Sequence, residues 1–68
     1  MPTVVKIGDN LKELRTRRLL TQVQLAEKSG VNQVTIARIE RNQVDPRFST
    51  MRRLAKALDV DPTELLGE

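Results

Sequence analysis

Gln22, Gln33, Thr35 and Arg38 stand apart in the stretch TQVQLAEKSGVNQVTIARIE, which runs from Thr21 to Glu40. The apolar residues of that stretch, Val23, Leu25, Ala26, Val31, Ile36 and Ile39, suffice to account for packing, so the polar set is left over. Amide, hydroxyl and guanidinium groups are hydrogen-bonding groups rather than nucleophiles or general bases at neutral pH. The chemistry they offer is recognition, because a planar amide or guanidinium can match the donor and acceptor pattern of another planar polar edge.

Covalent chemistry has little to work with elsewhere. The chain has no cysteine and no histidine, which removes Ser-His and Cys-His nucleophile pairs and the ordinary zinc site. Its carboxylates are scattered over helix ends and faces, with no Asp-rich loop of the calcium-binding kind. The sequence therefore predicts a protein that is not an enzyme, with no catalytic residues, no metal and no cofactor.

With 68 residues the chain fills one domain, and a core of that size leaves only a few kcal/mol of net stability. Without disulfides or zinc, that stability must come from packing and capping. The longest purely aliphatic runs, Val4-Val5 and Leu19-Leu20, fall far short of a membrane span, and the N-terminus lacks an apolar signal region. A cytoplasmic protein with no membrane partner is expected. Twelve Lys and Arg against nine Asp and Glu give a net charge of +3; this suits a polyanionic partner but also an ordinary solvated surface. Phe48 is the one aromatic residue, which disfavours single-strand binding by base stacking and leaves duplex binding open.

The elements that must position the polar set follow from periodicity and caps. Met1 to Lys6 reads as an extended lead-in, and residues 7–67 as the domain. Ile7, Leu11 and Leu14 define one face of a first helix, from Ile7 or Asp9 to Arg18, with acid near its start and arginines near its end as the helix dipole favours. Thr21 and Gln24 fit a capping box that starts a second helix at Gln22, and Gly30 supplies its left-handed stop. Asn32 is the expected N-cap of a third helix ending near Arg41, with Asn42 as a left-handed stop. Met51, Leu54, Ala55 and Leu58 mark a fourth helix. Asp61-Pro62-Thr63-Glu64 combines a cap, a proline at the first helical position and a carboxylate at the third, opening a fifth with Leu65 and Leu66. The expectation is an all-α domain of five short helices.

Two helices joined by a tight glycine-containing turn, the second polar on its outer side, describe a helix-turn-helix. With TQ opening the second helix, LAEKSGV across the turn, TIARIE in the third helix and AKAL in the fourth, the chain resembles the lambda-repressor and Cro-like (XRE) family of DNA-binding domains from about Ile7 to Leu66. The resemblance implies a compact five-helix domain that binds double-stranded DNA through the third helix and regulates transcription, as a repressor and homodimer on a pseudo-palindromic operator. No small-molecule effector is specified.

On the third helix, Ile36 and Ile39 face the core, so Gln33, Val34, Ala37, Arg38 and Arg41 point outward or flank it. Gln33 can pair with the N6 and N7 edge of adenine, and Arg38 with guanine O6 and N7 or with a phosphate. Val34 suits a thymine methyl group or the periphery of the core, and Thr35 a base or a phosphate. The resemblance adds roles that the residues alone do not carry. Gln22 is expected to bind a phosphate and to brace Gln33, while Arg15 and Glu40 are expected to form a structural ion pair. Arg41, Asn42, Gln43 and Arg47 are expected at the DNA backbone, and Val60, Pro62 and the start of the fifth helix at the dimer interface. Arg17, Arg18, Arg52, Arg53 and Lys56 read as solvated faces.

Three departures from the family pattern carry expectations of their own. Leu19 stands where glycine is common, predicting either strain at the end of the first helix or another geometry there. Arg47 stands where serine is common, predicting an uncapped fourth helix that begins late, at Ser49 or Thr50. Asn42 also replaces a common glycine. A competing reading keeps the scaffold without base readout, as a protein-interaction module of the antitoxin or coactivator kind; a large exposed apolar patch on the third helix would favour it.

Overall fold

Local capping chemistry sets the element boundaries in the computed structural model, which describes residues 6–67; the lead-in from Met1 to residue 5 lies outside the described residues. Helix α1 spans Ile7–Arg17, α2 Gln22–Ser29, α3 Gln33–Glu40 and α4 Phe48–Leu58. At the start of α2 the Thr21 hydroxyl accepts from the Gln24 N–H at 3.0 Å while Gln24 Oε1 accepts from the Thr21 N–H at 2.8 Å. Gly30 closes α2 at φ 74°, and Asn32 Oδ1 accepts from the Val34 N–H at 2.7 Å to open α3. The turn between the two helices is consequently short and fixed at both ends.

The other three α-helices also close on a left-handed residue, yet without glycine. After α1, the Leu19 N–H donates to the Thr16 carbonyl and the Leu20 N–H to that of Arg15; after α3, Asn42 and Gln43 donate to Ile39 and Arg38; after α4, Asp59 and Val60 donate to Lys56 and Ala55. This paired closure requires a left-handed residue at its centre. Leu19, Asn42 and Asp59 occupy those centres at φ 56°, 58° and 58°. The Leu19 departure therefore does place a branched side chain in left-handed backbone, and that side chain is 89% exposed.

Two expectations are corrected. Helix α4 lacks a side-chain cap at Arg47 but starts at Phe48 rather than at Ser49 or Thr50. Burial of Met51, Leu54, Ala55 and Leu58 holds the helix, and its exposed first turn can hydrogen-bond water in place of a cap. The fifth helix is a 3₁₀ helix, Pro62–Leu66, not an α-helix. Five residues are too few for α-helical propagation to offset nucleation, although its cap is present, with Asp61 Oδ1 accepting from the Thr63 N–H at 3.0 Å.

The core comprises Leu11, Leu25, Val31, Ile36, Ile39, Met51, Leu54, Ala55, Leu58 and Leu65. Val23, expected to help packing, faces outward, and Leu66 is also exposed. Helix α1 lies against both α3 and the 3₁₀ helix. Asn10 Nδ2 donates to the Leu65 carbonyl at 2.9 Å, tying the last element to the first. At the other contact α1 meets α3 through Gly8, where a Cβ would fall 2.0 Å from the Ile39 carbonyl oxygen. Only glycine lets the two helices approach that closely.

Candidate nucleic-acid interface

Helix α3 sorts its residues sharply. Ile36 and Ile39 are wholly buried, whereas Gln33 and Arg38 are exposed and Val34 is 56% exposed. Val34 therefore belongs to the outer surface rather than to the periphery of the core. Thr35 is half-buried at the flank of this face. The outer side of α3 thus presents an amide, two methyl groups and a guanidinium, with the hydroxyl partly withdrawn.

Behind that face sits a polar cluster. Arg15 Nε donates to Glu40 Oε2 at 2.7 Å and Arg15 Nη2 to Glu40 Oε1 at 2.9 Å, the parallel two-bond geometry that suits guanidinium and carboxylate. Arg15 Nη1 donates to the Leu20 carbonyl at 2.8 Å. The side chains are 12% and 4% exposed, so the pair is nearly dry and clamps α1 to the end of α3. Hydrogen bonding to Glu40 pushes the Arg15 guanidinium further above its ordinary value, against the opposing effect of burial.

Gln22 joins this cluster instead of bracing Gln33. Its Nε2 donates to Glu40 Oε1 at 3.1 Å, and among the described residues no hydrogen bond links it to Gln33. A carboxylate is the stronger acceptor for an amide N–H, so Glu40 takes the group that the resemblance assigned to Gln33. Among the described residues no hydrogen bond engages the Gln33 amide.

In the loop between α3 and α4, Arg41, Gln43 and Arg47 are exposed. Asn42, expected with them at the DNA backbone, is a brace: its Oδ1 accepts from the Gly8 N–H at 3.2 Å and its Nδ2 donates to Asp9 Oδ1 at 3.0 Å. Its backbone N–H is also committed, to the Ile39 carbonyl. Nothing in the local sequence announces this role or that of Gly8, since both depend on contacts more than 30 residues apart. Among the described residues the ion pairs are Arg15–Glu40 and the exposed Arg17–Glu13. Arg38, Arg41 and Arg47 are exposed and take part in neither pair. Farther along α4, Arg52 lies over the exposed Phe48 ring, 6.0 Å from its centroid. At the opposite end of the chain the Asp61 carboxyl is held below the usual carboxylate range by the Thr63 backbone N–H, then by the Thr63 hydroxyl.

Among the described residues, no helix is long and apolar enough to cross a membrane, and no group of His, Cys, Asp and Glu is placed to hold a metal ion.

A protein-family model described as helix-turn-helix matches residues 11–65. The immunity repressor protein of Bacillus phage phi105 is 40% identical over 62 residues, which are 91% of this chain and 43% of that protein. The restriction-modification controller protein C.AhdI of Aeromonas hydrophila has a structure similar at TM-score 0.85 and 41% identity, over 90% of this chain and 92% of that one. The P22 c2 repressor, solved in complex with a synthetic operator, is similar at TM-score 0.82 and 30% identity, over 94% and 96% of the two chains. The present chain spans under half the length of the phi105 repressor, and these relatives are named as repressors and controllers rather than as enzymes.

Proposed function

The chain belongs to the lambda-repressor and Cro-like (XRE) helix-turn-helix family, and from that membership we propose that it binds double-stranded DNA sequence-specifically, with α3 in the major groove, as a cytoplasmic transcriptional repressor. The observation that carries this reading is the sorting of α3, whose wholly buried Ile36 and Ile39 fix the helix while Gln33, Val34 and Arg38 project from its other side. In the groove, the Gln33 amide pairs with an adenine edge, the Val34 methyl groups meet a thymine methyl, and Arg38 takes guanine or a phosphate. Thr35, half-withdrawn, is a secondary contact.

Arg41, Gln43 and Arg47 hold the DNA backbone without reading sequence, and Gln22 adds a phosphate contact from the start of α2. One such helix covers only a few base pairs, so two copies act as a homodimer on half-sites about 34 Å apart, with Val60 and Pro62 at the contact between them. A partner-binding module would present a broad apolar surface on α3, and Val34 between polar neighbours does not make one.

Selecting bound sites from a pool of random duplexes tests the reading, with a two-fold-related pair of short half-sites as the expected product. On a selected site Gln33→Ala should cost about 1–3 kcal/mol and relax preference at one base pair. Equal loss on every sequence would remove the base-reading role.

A further inference from the structure

We infer that Glu40, beyond its ion pair with Arg15, is the positioning residue that sets the Gln22 amide against a DNA phosphate, an inference that rests on the duplex-binding reading above. Both oxygens of the buried carboxylate are engaged. Oε2 accepts from Arg15 Nε at 2.7 Å, and Oε1 accepts from Arg15 Nη2 at 2.9 Å and from Gln22 Nε2 at 3.1 Å. Paired with a guanidinium, the carboxylate can only accept, so of the two ends of the Gln22 amide only the NH₂ end can face it.

The orientation of Gln22 is dictated as a result. One N–H points at Glu40, and the second N–H and Oε1 are turned away from it. The second N–H is the group a phosphate oxygen can use, since phosphate offers acceptors alone. The backbone beneath is equally fixed, because Gln22 is the first residue of α2 and the reciprocal Thr21–Gln24 bonds clamp that turn. Arg15 completes the arrangement by neutralising a carboxylate that would otherwise repel an approaching phosphate. A pair serving only to join α1 to α3 would need the two Arg15–Glu40 bonds; the third bond, to Gln22, lies outside that role.

Single methylphosphonate substitutions, each neutralising one phosphate, placed through a duplex selected by the wild-type protein, test this. The proteins compared are wild type, Gln22→Met, Glu40→Gln, and the double variant Arg15→Met/Glu40→Leu, which removes both charges together and leaves no buried ion unpaired. That double variant keeps the test open where Glu40→Gln does not fold. One neutralised phosphate should weaken wild-type binding by roughly tenfold, as expected for a hydrogen bond to a charged group. The same substitution should change Gln22→Met by less than about twofold. The Glu40 variants should share that insensitivity at this phosphate while still responding to neutralisation elsewhere. Folded Glu40 variants that keep the full loss at this position would reduce Glu40 to a structural clamp and overturn the inference. Undiminished sensitivity in Gln22→Met would instead remove the Gln22 contact itself, and selection of no duplex by the wild type would remove the duplex reading altogether.

Discussion

Replacing Leu19 by glycine should stabilise the domain, and the size of the gain can be worked term by term. Leu19 holds φ at 56° in the closure of α1, where a branched L-residue is disfavoured by roughly 1–2 kcal/mol. Its side chain is 89% exposed, so truncation forfeits almost no burial. Glycine returns about 0.4–1 kcal/mol through the extra freedom of the unfolded chain. The net gain is then about 0.5–1 kcal/mol, which for a domain of this size raises the melting temperature by roughly 2–8 °C. Urea and thermal unfolding followed by circular dichroism would measure it, with Asn42→Gly as the control. Asn42 holds φ at 58° but bonds through its side chain to Gly8 and Asp9, and asparagine tolerates the left-handed region better than leucine. Its replacement should lower stability by about 1 kcal/mol. A Leu19→Gly variant no more stable than wild type, or an equal gain at Asn42, would show that backbone strain is not the deciding quantity.

Arg15→Ala leaves Glu40 buried without its guanidinium and should lose about 3–5 kcal/mol of unfolding free energy, whereas Arg17→Ala, from the exposed pair with Glu13, should lose about 0.5 kcal/mol or less in the same denaturation series. Gly8→Ala drives a methyl group into the Ile39 carbonyl and should cost at least about 2 kcal/mol, with near-normal stability arguing against the close α1–α3 approach. Arg41→Ala should weaken binding to all duplexes alike and reduce the slope of log affinity against log salt by about one; an unchanged slope would take Arg41 off the backbone.

The boundaries of α2 and α3 were legible because their signals are local: Thr21 with Gln24, Gly30 and Asn32 each act within one turn of the chain. The inward set Leu25, Ile36 and Ile39 followed from helical spacing in the same way, and with it the outward set on α3. What escaped sequence reasoning depends on distant partners. Gln22 and Glu40 are 18 residues apart and Gly8 and Asn42 are 34 apart, so no cap or period reports either contact. Competition also mattered, since two acceptors were open to the Gln22 amide and only folding decides which is nearer. The 3₁₀ geometry of Pro62–Leu66 was hidden for another reason, because a good cap and a buried Leu65 suit either kind of short helix. Asp59 likewise gave no notice of a left-handed stop.

Among the described residues, both polar ties between α1 and α3 grip the same end of the latter helix, through Glu40 and through Asn42 just beyond it. Among the described residues no hydrogen bond fastens the side chains of Gln33 or Val34 to another helix. Helix α3 is thus clamped by polar groups at its C-terminal end, while its N-terminal half is held by the buried Ile36 and by the short capped turn from α2. Eight residues at 1.5 Å each make an arm of about 12 Å, so a tilt of about 5° at the C-terminal end would sweep the N-terminal end through about 1 Å. A displacement of that size would separate a formed hydrogen bond from a missed one, so under the proposed duplex reading the packing and polar ties that seat α3 govern how well Gln33 meets a base edge.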